Sequence, residues 1–325
     1  MGWASKHKNS LLKNITLIKE NPLLQKNKAL FALGWVSIFW GTTWLASKEA
    51  VQHAPALQII AIRQLIAAVL YIGFFVIRGV EWPRGKQWGV ILILSFLNFM
   101  LSNALSTWGV KYIPSGLGAI MGAIFPLWLV IITMFRGKRL PKQALIGLLM
   151  GFGGVCIIFY EHLKDFINPD FRFGIILSLG ATISWAFGTL YTKQQAINFN
   201  PYFSLGFQML FSGIAVYIFA ESIGHTTGLS NIPARSWWAI SYLVVIGSLL
   251  TFVAYIYSLQ HLPTALASIY AYINPIVAVL LGAALAGEKL TMFIAIGGAI
   301  TIAGVYLVNN SLKKKTALGA EEPRN

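Results

Sequence analysis

Residues 39–50 read FWGTTWLASKEA, and residues 184–196 read SWAFGTLYTKQQA. Both carry Trp, a small residue, Thr and Lys in similar order. If they are two copies of one unit, the chain is an internal duplication, and that decides its fold. Adding 145 to first-half numbers takes Ser37 to Thr182, Trp40 to Trp185, Gly41 to Ala186, Lys48 to Lys193, Arg63 to Gln208 and Leu65 to Leu210. Further on the shift becomes 149, taking Pro114 to Pro263, Gly118 to Ala267, Gly122 to Ala271 and Pro126 to Pro275. At 150, Gly147 falls on Gly297, Gly154 on Gly304 and Val155 on Val305. Two prolines stand twelve apart in both halves, an ordered pattern that composition alone does not produce.

The solvent of this chain follows from its charge. Of 325 residues, 57% are apolar and only 11% charged, with a mean hydropathy of +0.68. An ordinary soluble domain carries about 25% charged residues. Ten apolar runs stand out, at roughly 30–48, 56–77, 87–107, 115–135, 143–160, 173–192, 202–221, 237–258, 264–286 and 290–309. Each approaches the ~20 residues that cross ~30 Å of hydrocarbon at ~1.5 Å per residue. None alternates in the manner of barrel strands, so helices are expected. Five helices per half is an odd number, so the second copy enters the membrane from the opposite side. The expected fold is all-α integral membrane, with ten transmembrane helices in two inverted five-helix repeats. Such repeats place a binding site near the midplane, and rocking them gives alternating access. The divisions are a basic tail over 1–29, repeats over 30–160 and 173–309, and a tail over 310–325.

The net charge of +15 raises the question of nucleic acid, and its distribution answers it. With both termini placed in the cytoplasm, 18 of the 25 Lys and Arg fall on the inner side, six on the outer side, and Arg63 within a helix. That is the positive-inside bias; basicity here is a topology signal, and no nucleic-acid partner is expected. The partner surface is the bilayer. The N-terminal tail, with Leu11, Leu12, Ile15 and Ile18, fits either an amphipathic stretch on anionic lipid or a disordered tail. No cleavable signal peptide is expected, because no Ala-x-Ala-like site follows the first apolar core. The single cysteine, Cys156, excludes an intrachain disulfide and is expected to pack in its helix.

Three helix pairs carry the polar and aromatic residues. Gly118 and Gly122 in helix 4, and Ala267 and Ala271 in helix 9, are small residues four apart that allow close helix approach. Pro126 and Pro275 then free the carbonyls of Gly122 and Ala271, giving either a static kink or a hinge with a bare carbonyl for substrate. Helix 3 carries Ser95, Asn98, Ser102 and Ser106, and helix 8 carries Ser241, Ser248, Thr251, Tyr255 and Ser258, at helical spacing. Such stripes avoid lipid and serve helix–helix hydrogen bonds or a shared aqueous cavity. Helix 1 presents Trp40, Trp44 and Lys48; helix 6 presents Trp185, Thr189 and Lys193. Trp44 and Trp108 fit an interfacial belt. Trp40 and Trp185 sit deeper and, with Tyr255, Tyr270 and Tyr272, fit either core packing or an aromatic wall suited to flat or ammonium-bearing ligands. Asn274, just before Pro275, is placed to reach substrate or the freed backbone.

Charge inside the membrane is scarce. Arg63 lies in helix 2 with no evident acidic partner, which fits snorkelling outward or binding a carboxylate. Lys48 and Lys193 read as helix-end charges. No Asp lies inside an expected helix, so a carboxylate proton relay has no obvious residue. There is no His/Cys metal spacing, no paired intramembrane Asp and no P-loop. No enzyme chemistry, metal or cofactor is expected.

The stretches IFWGTTWLASKEA (38–50), the matching helix 6, the helix ending in INP (273–275), and GEKLTMFIAIGGAITIAGVYLV (287–308) together resemble the EamA-type transporters of the drug/metabolite transporter superfamily. The resemblance covers about residues 30–310. Its most specific part runs from Ala286-Gly287-Glu288-Lys289-Leu290 to Val305. The first half departs from it, with Lys138 where the Glu288 pattern expects Glu. The resemblance implies ten helices, cytoplasmic termini, and a central cavity formed mainly by helices 1, 3, 4, 6, 8 and 9. It implies export or exchange of small metabolites, often amino acids.

The reading that results is an inner-membrane secondary transporter of small metabolites, amino acids foremost. Trp40, Arg63, Asn98, Ser102, Trp185, Thr251, Tyr255, Tyr270 and Asn274 are the expected substrate contacts, and Pro126 and Pro275 the expected hinges. The alternatives are transport of nucleotide-sugars or phosphorylated sugars, or of drug-like amphipathic compounds. A homo-oligomer is compatible with the sequence; direction and coupling are open.

Overall fold

The computed structural model describes residues 22–135, 141–161, 164–194, 200–262 and 270–320. Within them there is no strand. The helices are α1 (Pro22–Gln52), α2 (Ala56–Ile77), α3 (Lys86–Gly109), α4a (Ser115–Ala123), α4b (Phe125–Phe135), α5 (Lys142–Glu161), α6 (Pro169–Gln194), α7 (Pro201–Ser222), α8 (Ala234–His261), α9 (Tyr270–Ala286) and α10 (Met292–Ala320). Six of them, α1, α2, α3, α6, α7 and α8, are long and apolar enough to cross a membrane. Shorter apolar helices lie at Lys142–Ile158, Ile273–Ala286 and Met292–Val308. The chain is therefore a multi-pass membrane protein. Its outer surface fits that solvent: Ile77, Phe135, Leu149, Trp238 and Leu285 are all strongly exposed, as lipid permits and water does not.

Local sequence explains the helix ends. At α7, Asn200 accepts hydrogen bonds from the backbone N–H of Tyr202 (3.0 Å) and Phe203 (3.1 Å), with Pro201 in the first turn. After α2 and α7 the chain turns at Gly79 (φ 65°) and Gly224 (φ 66°), the left-handed conformation that favours glycine. These two glycines are 145 apart, the first repeat shift.

Packing follows the same internal relation. α5 lies along α10, and α2 along α7, as the two most extensive helix pairings. In the first pair a Cβ on Gly147 would sit 2.6 Å from the carbonyl oxygen of Gly304, and one on Gly154 would sit 2.5 Å from that of Gly297. The partner of each glycine is the repeat counterpart of the other, so the contact exchanges onto itself. Small residues here let two backbones touch.

Two features of the backbone depart from the sequence reading. The first concerns α3 and α8, which widen to π-helix over Ser95–Asn103 and Leu243–Leu250, at matching repeat positions. The widening leaves backbone carbonyls for side chains: Tyr71 Oη donates to those of Ser248 (2.9 Å) and Leu249 (3.0 Å), and Thr251 Oγ1 donates to that of Ile246 (2.7 Å). The second concerns the proline helices, which behave differently. α4a stops at Ile124 and α4b restarts before Pro126, whereas α9 runs unbroken through Pro275. The side chain of Pro126 lies outside the described set, as do those of Lys193 and Tyr272 and the whole of 1–21, 136–140 and 263–269. The tail residues Leu11 to Ile18, Lys138, Pro263 and Ala267 fall in those gaps. Cys156, expected to pack, is exposed instead.

Candidate functional site

The interior is organised around five aromatic rings. Trp40 of α1 makes edge contacts with Trp185 of α6 (centroids 6.2 Å), Phe252 of α8 (5.1 Å) and Tyr270 of α9 (5.2 Å), and a tilted contact with Tyr255 (4.9 Å). The indole N–H of Trp185 donates to Tyr270 Oη (3.4 Å). Edge contacts of this kind rest on the ring quadrupoles and hold the rings in fixed orientations.

On one side of this cluster lies a cavity of about 160 Å³. Trp40, Arg63, Ser102, Trp185, Tyr270 and Asn274 all line it. So do residues not singled out from the sequence, among them Thr43, Ser47, Thr107 and Ser178. Trp44, which shares a helix face with Trp40 and also fits an interfacial belt, faces this cavity too. It also occupies the room that small residues leave: Cβ atoms at Gly118 and Gly122 would sit 3.0 and 2.9 Å from its ring. The glycines of α4a thus admit an indole. Close helix approach occurs instead at Gly41, where a Cβ would lie 2.6 Å from Val277 of α9 and 3.0 Å from the Asn274 carbonyl.

Arg63 is the charged group of this cavity. It is 6% exposed, and its Nε donates to Ser248 Oγ at 3.0 Å. A Cβ on Gly247 would sit 3.1 Å from its Nη2, so the π-helical stretch of α8 gives the guanidinium its place. No acidic side chain pairs with it among the described residues. The snorkelling alternative therefore does not hold: the group points inward. Asn274 is 8% exposed; with its amide turned to suit the acceptors around it, Nδ2 donates to the carbonyls of Ser37 (2.7 Å) and Tyr270 (3.2 Å), tying α9 to α1.

A second cavity, of about 300 Å³, lies on the other side of the rings. Asn98 and Tyr255 line this one, while Trp185 and Phe252 line both. Thr251 lines neither; it is fully buried and accepts from the Trp35 indole at 3.3 Å. The polar stripe of α3 divides likewise. Ser95 Oγ donates to the Gln208 carbonyl (2.7 Å) as a helix–helix bond, while Ser102 and Ser106 face the first cavity.

Other charges are engaged at helix ends. Lys48 Nζ donates to the carbonyls of Lys111 and Ile113, both at 3.0 Å. Glu49 pairs with Arg235 at 2.7 Å. Glu288 accepts from the backbone N–H of Ser115 and Gly116. Among the described residues no group of His, Cys, Asp or Glu is arranged to hold a metal.

Comparison with known proteins adds the family. The EamA-like transporter family matches the chain twice, over residues 27–160 and 172–310. The chain is 30% identical to YedA of Escherichia coli strain K12, an uncharacterized inner membrane transporter, over 86% of this chain and 89% of YedA. It is 26% identical to YvbV of Bacillus subtilis, an uncharacterized transporter, over 92% of this chain and 98% of YvbV. A solved crystal structure at 17% identity shares the fold, with a TM-score of 0.62 over 87% of this chain and 97% of that one.

Proposed function

We propose, from the premise that this chain belongs to the EamA-like transporter family, that it moves small carboxylate-bearing metabolites, amino acids foremost, across the inner membrane. The chain is a membrane transporter; the substrate and the manner of movement are the proposal. The observation that carries it is Arg63, a buried guanidinium with no acidic partner among the described residues, facing a cavity walled by Trp40, Trp185 and Tyr270. A lone buried charge in the membrane is costly unless something pairs with it. A carboxylate fits a guanidinium with two parallel hydrogen bonds, and the indole and phenol faces suit an ammonium group or an apolar side chain.

The inverted-repeat, alternating-access reading is supported by the exchanging glycine contact of α5 and α10, the paired π-helical stretches, and the matched turns at Gly79 and Gly224. Cytoplasmic termini are supported by the distribution of Lys and Arg. Two rival substrate classes fit less well. Phosphorylated sugars would call for several cations, and Arg63 stands without another among the described cavity residues. Pockets that take drug-sized ligands measure ~300–1,000 Å³, and the Arg63 cavity is about 160 Å³. The test is counterflow in proteoliposomes without an ion gradient, using a labelled panel of amino acids, a sugar phosphate and a lipophilic cation. Accumulation of an amino acid supports the proposal; accumulation of the sugar phosphate or the cation alone contradicts it.

A further inference from the structure

Eight residues that line the first cavity have repeat counterparts that line the second. Under the 145 shift, Trp40, Trp44, Ser47 and Arg63 of the first become Trp185, Thr189, Thr192 and Gln208, all of which line the second. Under the 149 shift, Asn103, Ser106, Thr107 and Val110 of the first become Phe252, Tyr255, Ile256 and Leu259, which also line the second. The cavities lie toward opposite ends of the bundle. α3 and α6 run antiparallel, because a Cβ on Gly109 would meet Ser178 and the Gly174 carbonyl, while one on Gly188 would meet the Asn98 amide. Ser178 lines the first cavity and Asn98 the second. Between Ser178 and Thr192, α6 rises ~21 Å at ~1.5 Å per residue.

We propose that the second cavity is a second station for the same solute, the uncharged counterpart of the Arg63 site, with the aromatic cluster as the barrier between them. Gln208 is the residue that defines it. It stands where the repeat places Arg63, is 4% exposed, and lines the cavity. Its Nε2 donates to Ser204 Oγ at 2.9 Å, and its buried Oε1 has no partner among the described residues. The Asn98 Oδ1 on the same cavity is likewise buried and unpaired. Native interiors rarely leave such atoms unsatisfied, and both are acceptors. A zwitterionic solute supplies the missing donors from its ammonium group. The first station therefore offers donors to a carboxylate, and the second offers acceptors to an ammonium without a full charge. One station holds the solute by ion pairing and the other by neutral hydrogen bonds, so release is easier from the Gln208 side. The ammonium assignment rests on the amino-acid reading above; the existence of a repeat-related second cavity does not.

The experiment keeps the two apart. In a Cys156→Ser background, which removes the chain's single cysteine, Ser106→Cys reports the first cavity and Thr192→Cys the second. A membrane-impermeant thiol reagent is applied to each face of oriented vesicles. The expected result is that each cysteine reacts from one face only, and that the faces are opposite. Labelling of both from the same face, or of Thr192→Cys from neither, overturns the proposal even if no amino acid is transported. For any amino acid that does exchange, Gln208→Glu keeps the acceptors and places a full negative charge opposite the ammonium. The expected result is a KM at least threefold lower with turnover at least tenfold lower, whereas Gln208→Met slows exchange without lowering KM. Unchanged KM and turnover in Gln208→Glu would remove Gln208 from the solute's path.

Discussion

The carboxylate of Glu288 stands at the amino end of α4a and accepts the backbone N–H of Ser115 at 2.7 Å; its other oxygen accepts that of Gly116 at 3.1 Å. This joins the α9–α10 turn to the start of α4a. Nearby, Lys48 holds the carbonyls of Lys111 and Ile113 in the segment that leads into the same helix. The Glu288 carboxylate does the work of an N-cap from a distant part of the chain, and its charge suits the positive end of the helix dipole.

Removing that cap should destabilise the bundle. Glu288→Ala is expected to cost about 1–2 kcal/mol and Glu288→Gln, which keeps an acceptor, about half as much. Thermal unfolding of the detergent-solubilised protein measures both. Equal melting temperatures for all three proteins would show that the cap contributes nothing.

The glycine contact of α5 and α10 predicts a contrast between neighbours on one helix. Gly147→Ala places a methyl 2.6 Å from the Gly304 carbonyl and should cost about 1–3 kcal/mol by overpacking. Gly153→Ala meets nothing within 4 Å and should be neutral or stabilising by up to ~1 kcal/mol. Unfolding in the same detergent compares the two. A destabilised Gly153→Ala beside an unaffected Gly147→Ala would contradict the packing described.

Trp44 and Gly122 should behave as a coupled pair. Gly122→Ala crowds the indole at 2.9 Å and is expected to cost about 1–3 kcal/mol. In a Trp44→Leu background the added methyl has room, so the double-mutant cycle should return a coupling of at least ~0.5 kcal/mol. Strict additivity would mean that the ring relaxes freely.

How much of this was legible in the sequence depends on the kind of signal. Membrane helices announce themselves by length and apolarity, because nothing else satisfies lipid, and α1 through α3 and α6 through α8 were readable on that ground. Trp40 and Trp185 were legible as a pair because their position repeats across the two halves, whereas Tyr270 falls on Met121 under the 149 shift and lacks that signal. Division of the lining into two cavities was not, since helical spacing fixes a face and not the depth at which the opposite helix closes it. Asn98 and Tyr255 therefore proved to line a different space from Ser102 and Arg63. Thr251 was misread for a related reason: a π-helical turn rotates the face, and Ile246 captures its hydroxyl. Gln208 was already aligned with Arg63 by the repeat, and that alignment was the signal for the second cavity. Trp44 stood open between the cavity face of its helix and an interfacial belt, because a residue near a helix end looks interfacial until the glycines opposite it are seen to leave room.

Arg63 is the charged side chain that lines the first cavity, and the proposed function gives it the carboxylate. Losing a charge-assisted hydrogen bond removes about 1.5–3 kcal/mol, or roughly 10- to 150-fold in affinity at about 1.4 kcal/mol per tenfold. Arg63→Gln should raise the KM for exchange by that range. Arg63→Lys keeps the charge but loses the paired geometry, so it should fall between.

The most direct measurement is counterflow of each accumulated amino acid against its own carboxamide, in the wild type and in Arg63→Gln. The carboxamide keeps the ammonium and the side chain and removes only the anion. The wild type is expected to exchange the amino acid and to discriminate against the carboxamide at least tenfold, and Arg63→Gln to lose that discrimination. A wild type that moves both equally well would contradict the claim that Arg63 receives the carboxylate.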